Sequence, residues 1–443
     1  MVVTRQDALV RLGGAALSMV IGPTLDGLSP RSSRVAAGSG NWADVGEAVG
    51  QSAPAVRIIP LGQNPSDLVL DPTPSRDAPD GHIFVSIQGP TDPYGNLVGA
   101  GIVRALDARD GRTMRDVRVG YAPVALALDE RTGHLFVVNR GERTVSMLDA
   151  RGAALPRTIV VPPGPWTIVV DSRAGRAILV GRGVIGAGGV QIGSGSSSLL
   201  DTASGRVLSE IPVAGRPDGA VVDARRGRAF VTATALQVLD IARGRVPRTI
   251  PLEISAQELG LDETTGLLFA ITSPANTSVN GLTTFALTMF DGQSGRALSA
   301  VAIGGNLSQV VVDGSAGRVV VAGSGSNGGL EVDVADARSG RLLRKVTTSA
   351  VTLGSSLNTG LQTASPVVDT RRGRVYLALT DPGDPTKAYA GVCDIRTGAL
   401  LRTIPVRGGY IQAMAVDERS GRLFVVSAAQ GPNPRGYLAI IGP

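Results

Sequence analysis

The side chains that most often carry chemistry are scarce in this chain of 443 residues. It has two histidines, His82 and His134, and one cysteine, Cys393. Both histidines follow a glycine in the same repeated turn, so they supply no zinc or copper ligand set, no haem ligands and no Ser-His-Asp triad. Cys393 stands in AGVCDI at an apolar strand position, where a thiol acts as a small hydrophobe, and a lone cysteine excludes an internal disulfide framework. The run GRGVIGAGGVQIGSGSSS near residue 190 has glycine spacing like a phosphate loop, but strands flank it and no helix follows to receive the anion. No metal and no cofactor are expected.

Aspartate is the remaining reactive type, and most of it recurs in a fixed pattern. An apolar triplet, an Asp, a short polar turn ending in Gly and a second apolar run repeat as ALALDERTGHLFVVN, VVDSRAGRAILV, VVDARRGRAFVT and MAVDERSGRLFVVS. The anchors are Asp71, Asp129, Asp171, Asp223, Asp262, Asp313, Asp369 and Asp417. A second motif follows the first seven of them, with Asp107, Asp149, Asp201, Asp240, Asp291, Asp336 and Asp394. Asp bonds the backbone two residues on and Gly closes the turn with a positive φ, so D-x-x-x-G is turn chemistry, not a ring of catalytic carboxylates.

Each unit therefore supplies two pairs of strands, A and B around the first turn and C and D around the second. Unit lengths run from 39 to 58 residues between anchors, with no 3.6-residue apolar period. Four short strands per unit at that spacing predict an all-β, eight-bladed β-propeller. The last unit ends after its third strand, at GYLAIIGP, whereas VRIIPLG at residues 56–62 has no unit before it. Placing Val56–Leu61 as the outer strand of the last blade closes the ring and removes its open edges. These motifs resemble the YVTN-type β-propeller repeat over residues 56–443, most closely at LDERTGHLFVVNRGERTVSMLDA. The resemblance implies architecture and little chemistry, since such propellers serve many functions.

The two faces of such a ring are predicted to differ. The A-to-B and C-to-D turns are nearly uniform, whereas the B-to-C loops, such as SIQGPTDPYGN, TSPANTSVNGLTT and TDPGDPTKAY, are long and unlike one another. Variable loops on a rigid repeat are where binding is expected. The same face receives the D-to-A connections, which carry the candidate ligand contacts Tyr121, Trp166, Arg216, Asp218, Asn306, Tyr410 and Gln412. A non-catalytic propeller binding a protein, a glycan or a small ligand is expected, as a monomer. The alternative is a lactonase-like or glycan-cleaving hydrolase using Asp92, Asp218, Asp381 or Asp384, which would need two carboxylates about 5–10 Å apart beside a pocket.

Residues 4–22 place Arg5 and Arg11 before the apolar stretch from Leu12 to Ile21, in signal-peptide order. The segment resembles a bacterial twin-arginine signal, with Gln6 where the second arginine belongs. Residues 1–37 are read as an export signal and leader, 38–55 as a flexible linker and 56–443 as one domain. An extracytoplasmic location follows, without a permanent membrane anchor, because the apolar stretch is too short to span a bilayer. The net charge of +6 is spread over turns and not clustered, so no nucleic-acid partner is expected.

Overall fold

Short apolar runs rich in Val, Ile and Leu, each ended by Asp and a Gly turn, form strands because β-branched side chains pack well on a pleated surface and the turns stop them after a few residues. The computed structural model describes residues 54–443, apart from residues 93–96, 153–155, 185–192, 214, 216, 218, 234, 252–257, 273–277, 280–281, 284, 305, 326–327, 355–363 and 430–433. The expected signal and most of the expected linker lie outside the described residues.

Eight antiparallel sheets follow one another along the chain. Blade 1 comprises Pro65–Asp71, His82–Ile87, Ala100–Asp107 and Thr113–Tyr121, and blade 2 Pro123–Asp129, His134–Asn139, Thr144–Asp149 and Arg157–Val160. Blades 3 to 6 repeat this up-and-down order from innermost strands Pro165–Asp171, Gly219–Asp223, Leu259–Asp262 and Asn306–Asp313. Blade 8 is built from Tyr410–Asp417, Arg422–Ala428 and Arg435–Ile441, and its outer strand is Val56–Gln63, paired antiparallel with Arg435–Ile441. Each innermost strand touches those of its two neighbours, including Pro65–Asp71 against Tyr410–Asp417, so the ring is closed. The chain is an eight-bladed β-propeller, and no helix of the described residues is long and apolar enough to cross a membrane.

The turns explain the repeated aspartates. In every blade the anchor carboxylate accepts a backbone N–H of its own turn, as in Arg131 N to Asp129 Oδ1 at 3.0 Å and Ala174 N to Asp171 Oδ1 at 2.9 Å. The turn glycine then closes with positive φ, 72° at Gly133, and donates to the anchor carbonyl at 2.8 Å. A further bond locks the two turns of a blade together. The residue after the second Asp donates its N–H to the carbonyl of the first turn's glycine, from Ala108 to Gly81, Ala150 to Gly133 and Thr202 to Gly175, and likewise in blades 4 to 7. Both histidines serve this scaffold. The Nδ1 of His134 lies 2.7 Å from the Thr202 carbonyl of the next blade, and burial holds the pKa of His82 below the usual range.

Eight hydrophobic clusters fill the ring, one in each gap between neighbouring blades. In five blades the third residue after the turn glycine is a fully buried Phe, namely Phe84, Phe136, Phe230, Phe269 and Phe424, which wedges against the next blade. Cys393 is buried in the third strand of blade 7, and burial pushes its thiol up to about 12, out of reactive range. Blade 7 departs from the repeat. Its inner position is shared by Val367–Asp369 and by Thr352–Leu353, which pair with different ends of Arg374–Thr380.

Two substitutions test this scaffold. Leu61 is buried in the outer strand that closes the ring, so Leu61→Ala lowers unfolding free energy by about 2–5 kcal/mol in urea titration. A cost near zero would mean that this strand does not pack on blade 8. Asp171→Ala and Asp313→Ala each cost about 1–3 kcal/mol and by similar amounts, because both remove the same turn acceptor.

Candidate functional site

Eight innermost strands converge on one axis, so equivalent positions along them form rings around a central channel. The position four residues before the anchor is held, in order around the propeller, by Asp67, Ala125, Thr167, Gly219, Glu258, Gln309, Ser365 and Ala413. The pairing register slips just before it in blades 1, 2, 3, 6 and 8, where Ser66, Val124, Trp166, Ser308 and Gln412 are the extra residues of a β-bulge. A bulge bends the strand and re-aims the side chains beside it. Here it acts at the mouth of the channel, on the face that carries the B-to-C loops.

A cavity of about 240 Å³ opens at this mouth. Blade 1 contributes Ser66 and Asp67 to its lining, blade 2 Val124 and Ala125, and blade 3 Trp166 and Thr167. Blade 7 adds Ala364, Ser365 and Val367, and blade 8 adds Gln412, Ala413 and Met414. The lining thus consists of the bulge pair from blades 8, 1, 2 and 3, the equivalent pair Ala364 and Ser365 from blade 7, and two residues just below.

Hydrogen bonds tie this ring to the blade that follows. Oδ2 of Asp67 accepts the N–H of Leu126 at 2.8 Å, and Oδ1 accepts the N–H of Leu68 at 2.8 Å. Ser66 Oγ donates to the Pro123 carbonyl at 2.8 Å. On the opposite side of the ring Oε2 of Glu258 accepts the N–H of Val310 at 3.0 Å, the same bond made at the same repeat position, and the Ser365 hydroxyl also bonds its carboxylate. Burial among protein atoms pushes the Asp67 carboxyl up to about 7, against the lowering effect of its two backbone donors. Burial likewise pushes Glu258 up to about 7, opposed by Val310 and Ser365.

The candidates from the sequence are distributed as follows. Trp166 and Gln412 both line the cavity. Trp166 is only 7% exposed, and the guanidinium carbon of Arg182 lies 3.3 Å from its ring centroid, with that of Arg140 at 4.8 Å. The face beneath Arg182 is therefore closed to a stacking sugar. Tyr121 donates its hydroxyl to the Leu97 carbonyl and so tethers the B-to-C loop of its own blade. Tyr410 and Asn306 open the innermost strands of blades 8 and 6 at the same face. Arg216 and Asp218 lie outside the described residues. Of the other acids considered for hydrolysis, Asp381 accepts the N–H groups of Gly383 and Asp384, and Asp384 accepts that of Thr386 and pairs with Lys387 at 3.3 Å. Both shape a surface loop and neither lines the cavity. Asp92 is likewise absent from its lining.

Sequence reasoning missed Asp67 and Glu258. The signal was available, since reading four residues back from each anchor leaves two carboxylates among small and neutral side chains.

Neither a protein-family model nor a curated protein sequence matches the chain. Among solved structures it is similar to BamB from Moraxella catarrhalis, with 13% identity and a TM-score of 0.51, covering 81% of this chain and 100% of that one. It is also similar to the WD40 repeats of RRP9, with 11% identity and a TM-score of 0.50 over 88% of this chain and 99% of that one. At such identities the likeness bears on the propeller fold alone.

The buried acids set a pH dependence. A carboxyl whose folded pKa is raised binds protons that the unfolded chain has released, so its contribution to stability falls as pH rises from about 4 towards 7. Asp333, pushed up to about 6 by burial, acts in the same direction. The opposite holds for Asp129, Asp201, Asp240, Asp291, Asp336, Asp394 and Asp417, which are held low and lose their contribution as pH falls below about 4. The thermal midpoint is expected to be highest near pH 5 and to decline towards pH 8. A double Asp67→Asn, Glu258→Gln variant should show a flatter decline by calorimetry, and an unchanged slope would remove these acids as its cause.

Proposed function

We propose that this chain is an exported, non-catalytic binding propeller that engages a protein, glycan or small ligand at the channel mouth on its loop-rich face. The observation that carries it is the cavity there, lined in five successive blades by the start of the innermost strand, where the repeat gives way to unlike side chains. On the opposite face the turns are near copies of one another, and each anchor aspartate accepts a backbone N–H of its own turn. Export rests on the order of charge and apolar residues before position 22, and the YVTN-like repeat belongs with this reading as a pattern shared with many binding propellers. Fractionation of the producing cell with N-terminal sequencing of the mature chain checks the location.

The hydrolase alternative now draws its support from Asp67, a carboxyl near 7 inside a cavity, with Glu258 behind the Ser365 hydroxyl. Binding is favoured because both carboxylates are engaged in bonds between blades, and a group that holds a scaffold together is poorly placed to move.

The immobilised chain should capture its partner from extracellular extract, and Gln412→Arg should abolish capture with little change in melting temperature. Arg396→Ala, in a turn of the uniform face, should leave capture intact. Equal capture by all three proteins would refute the assignment of the face, and hydrolysis of a lactone or glycan library that is lost in Asp67→Asn would make the protein an enzyme.

A further inference from the structure

The cavity can be read for the charge of what it accepts. Among the described residues, Asp67 is the only ionisable side chain in its lining, and no lysine, arginine or histidine joins it there. A second carboxylate, Glu258, is bonded by the hydroxyl of Ser365, which is part of the lining. Arg140 and Arg182 lie against Trp166 and are not part of the lining. On the two blades that flank the carboxylate the lining is mainly apolar, with Val124 and Ala125 on one side and Ala413 and Met414 on the other. A carboxylate set between aliphatic side chains is the complement of an ammonium group on an alkyl stem, because a carboxylate shielded from water is strongly favoured by an opposite charge brought within hydrogen-bond reach.

Resting on the assignment of this face to binding, we infer that the channel-mouth cavity takes a primary ammonium group on a short alkyl chain, seated on Asp67. The group comes either from a free small amine or from a lysine side chain of a partner protein. The surroundings of Asp67 favour this over a water-filled pore. Among the described residues, only burial and the two N–H donors of Leu68 and Leu126 act on it. The titratable groups on the strands packed against it, His82, Asp129, Asp417 and Arg422, stand at the far, turn ends of those strands, and Tyr410 opens its strand at the near end. No cation of the described chain therefore balances the ionised carboxylate, and an incoming ammonium would. Its arrival converts a largely protonated Asp67 to the anion, so binding at pH 6 must release protons.

Isothermal titration at pH 6 in two buffers of different ionisation enthalpy tests this with four probes: cadaverine, a capped Gly-Lys-Gly peptide, its Nε-acetylated form and glutarate. Cadaverine or the lysine peptide should bind with proton release, and the acetylated peptide and glutarate should not. Tighter binding of the peptide than of cadaverine assigns the group to a partner protein, and the reverse assigns it to a free amine. Asp67→Asn should weaken binding at least tenfold. Because that change also disturbs the bond to Leu126, Ala413→Leu provides the control, since it fills the cavity, keeps the carboxylate and should abolish binding without loss of the folded state. Glutarate binding in place of the amines, or amine binding that survives both substitutions, would overturn the inference. If the amines fail while Gln412→Arg still abolishes partner capture, the face is correctly assigned and only the charge class of its ligand is wrong.

Discussion

The bond from the second turn to the carbonyl of the first turn's glycine is the contact on which this propeller is organised. It joins the inner and outer halves of each blade at one end and recurs in blades 1 to 7. The glycine must adopt a positive φ to present that carbonyl, and the anchor aspartate must satisfy the turn's N–H groups for the strand to end there. With that end of every blade held in one geometry, the innermost strands start towards the axis from equivalent points. What varies is confined to the other end.

That division explains why the channel mouth is polar although the ring is built from apolar clusters. The clusters lie between blades, where both flanking sheets are covered. The axis is bordered by the inner edges of eight sheets, and an inner edge presents unpaired backbone groups that need partners. Asp67 and Glu258 supply acceptors for the N–H groups of Leu126 and Val310, and the Gln309 side-chain amide donates to the Ala364 carbonyl at 3.0 Å. A polar ring position thus satisfies the edge of the following blade. Alanine at the same position in blades 2 and 8 leaves space, and the cavity lies on that side of the ring.

The architecture was legible because its determinants are local. Asp, Gly and an apolar run within about a dozen residues specify a turn and two strands whatever lies elsewhere, and the unpaired VRIIPLG segment specified closure once the last unit was seen to lack a strand. The divided inner position of blade 7 was not legible, since nothing in the sequence says that Thr352–Leu353 pairs with the upper part of Arg374–Thr380 while Val367–Asp369 pairs with the lower. For the site, attention to aromatic and charged residues in the connections found Trp166 and Gln412, which line the cavity, and Tyr121, which fastens a loop. It passed over Asp67, which reads as an ordinary polar residue at the start of a strand. Its importance comes from a bulge and from convergence on an axis, and both depend on contacts between residues far apart in the chain.

The arginine and tryptophan cluster at the edge of the cavity shows how a repeat protein acquires a singular place. Trp166 occupies a bulge position that is Ser, Val, Ser and Gln in the other bulged blades, and Arg140 and Arg182, from loops of blades 2 and 3, lie over its ring. A guanidinium held over an indole keeps much of its charge while losing mobility.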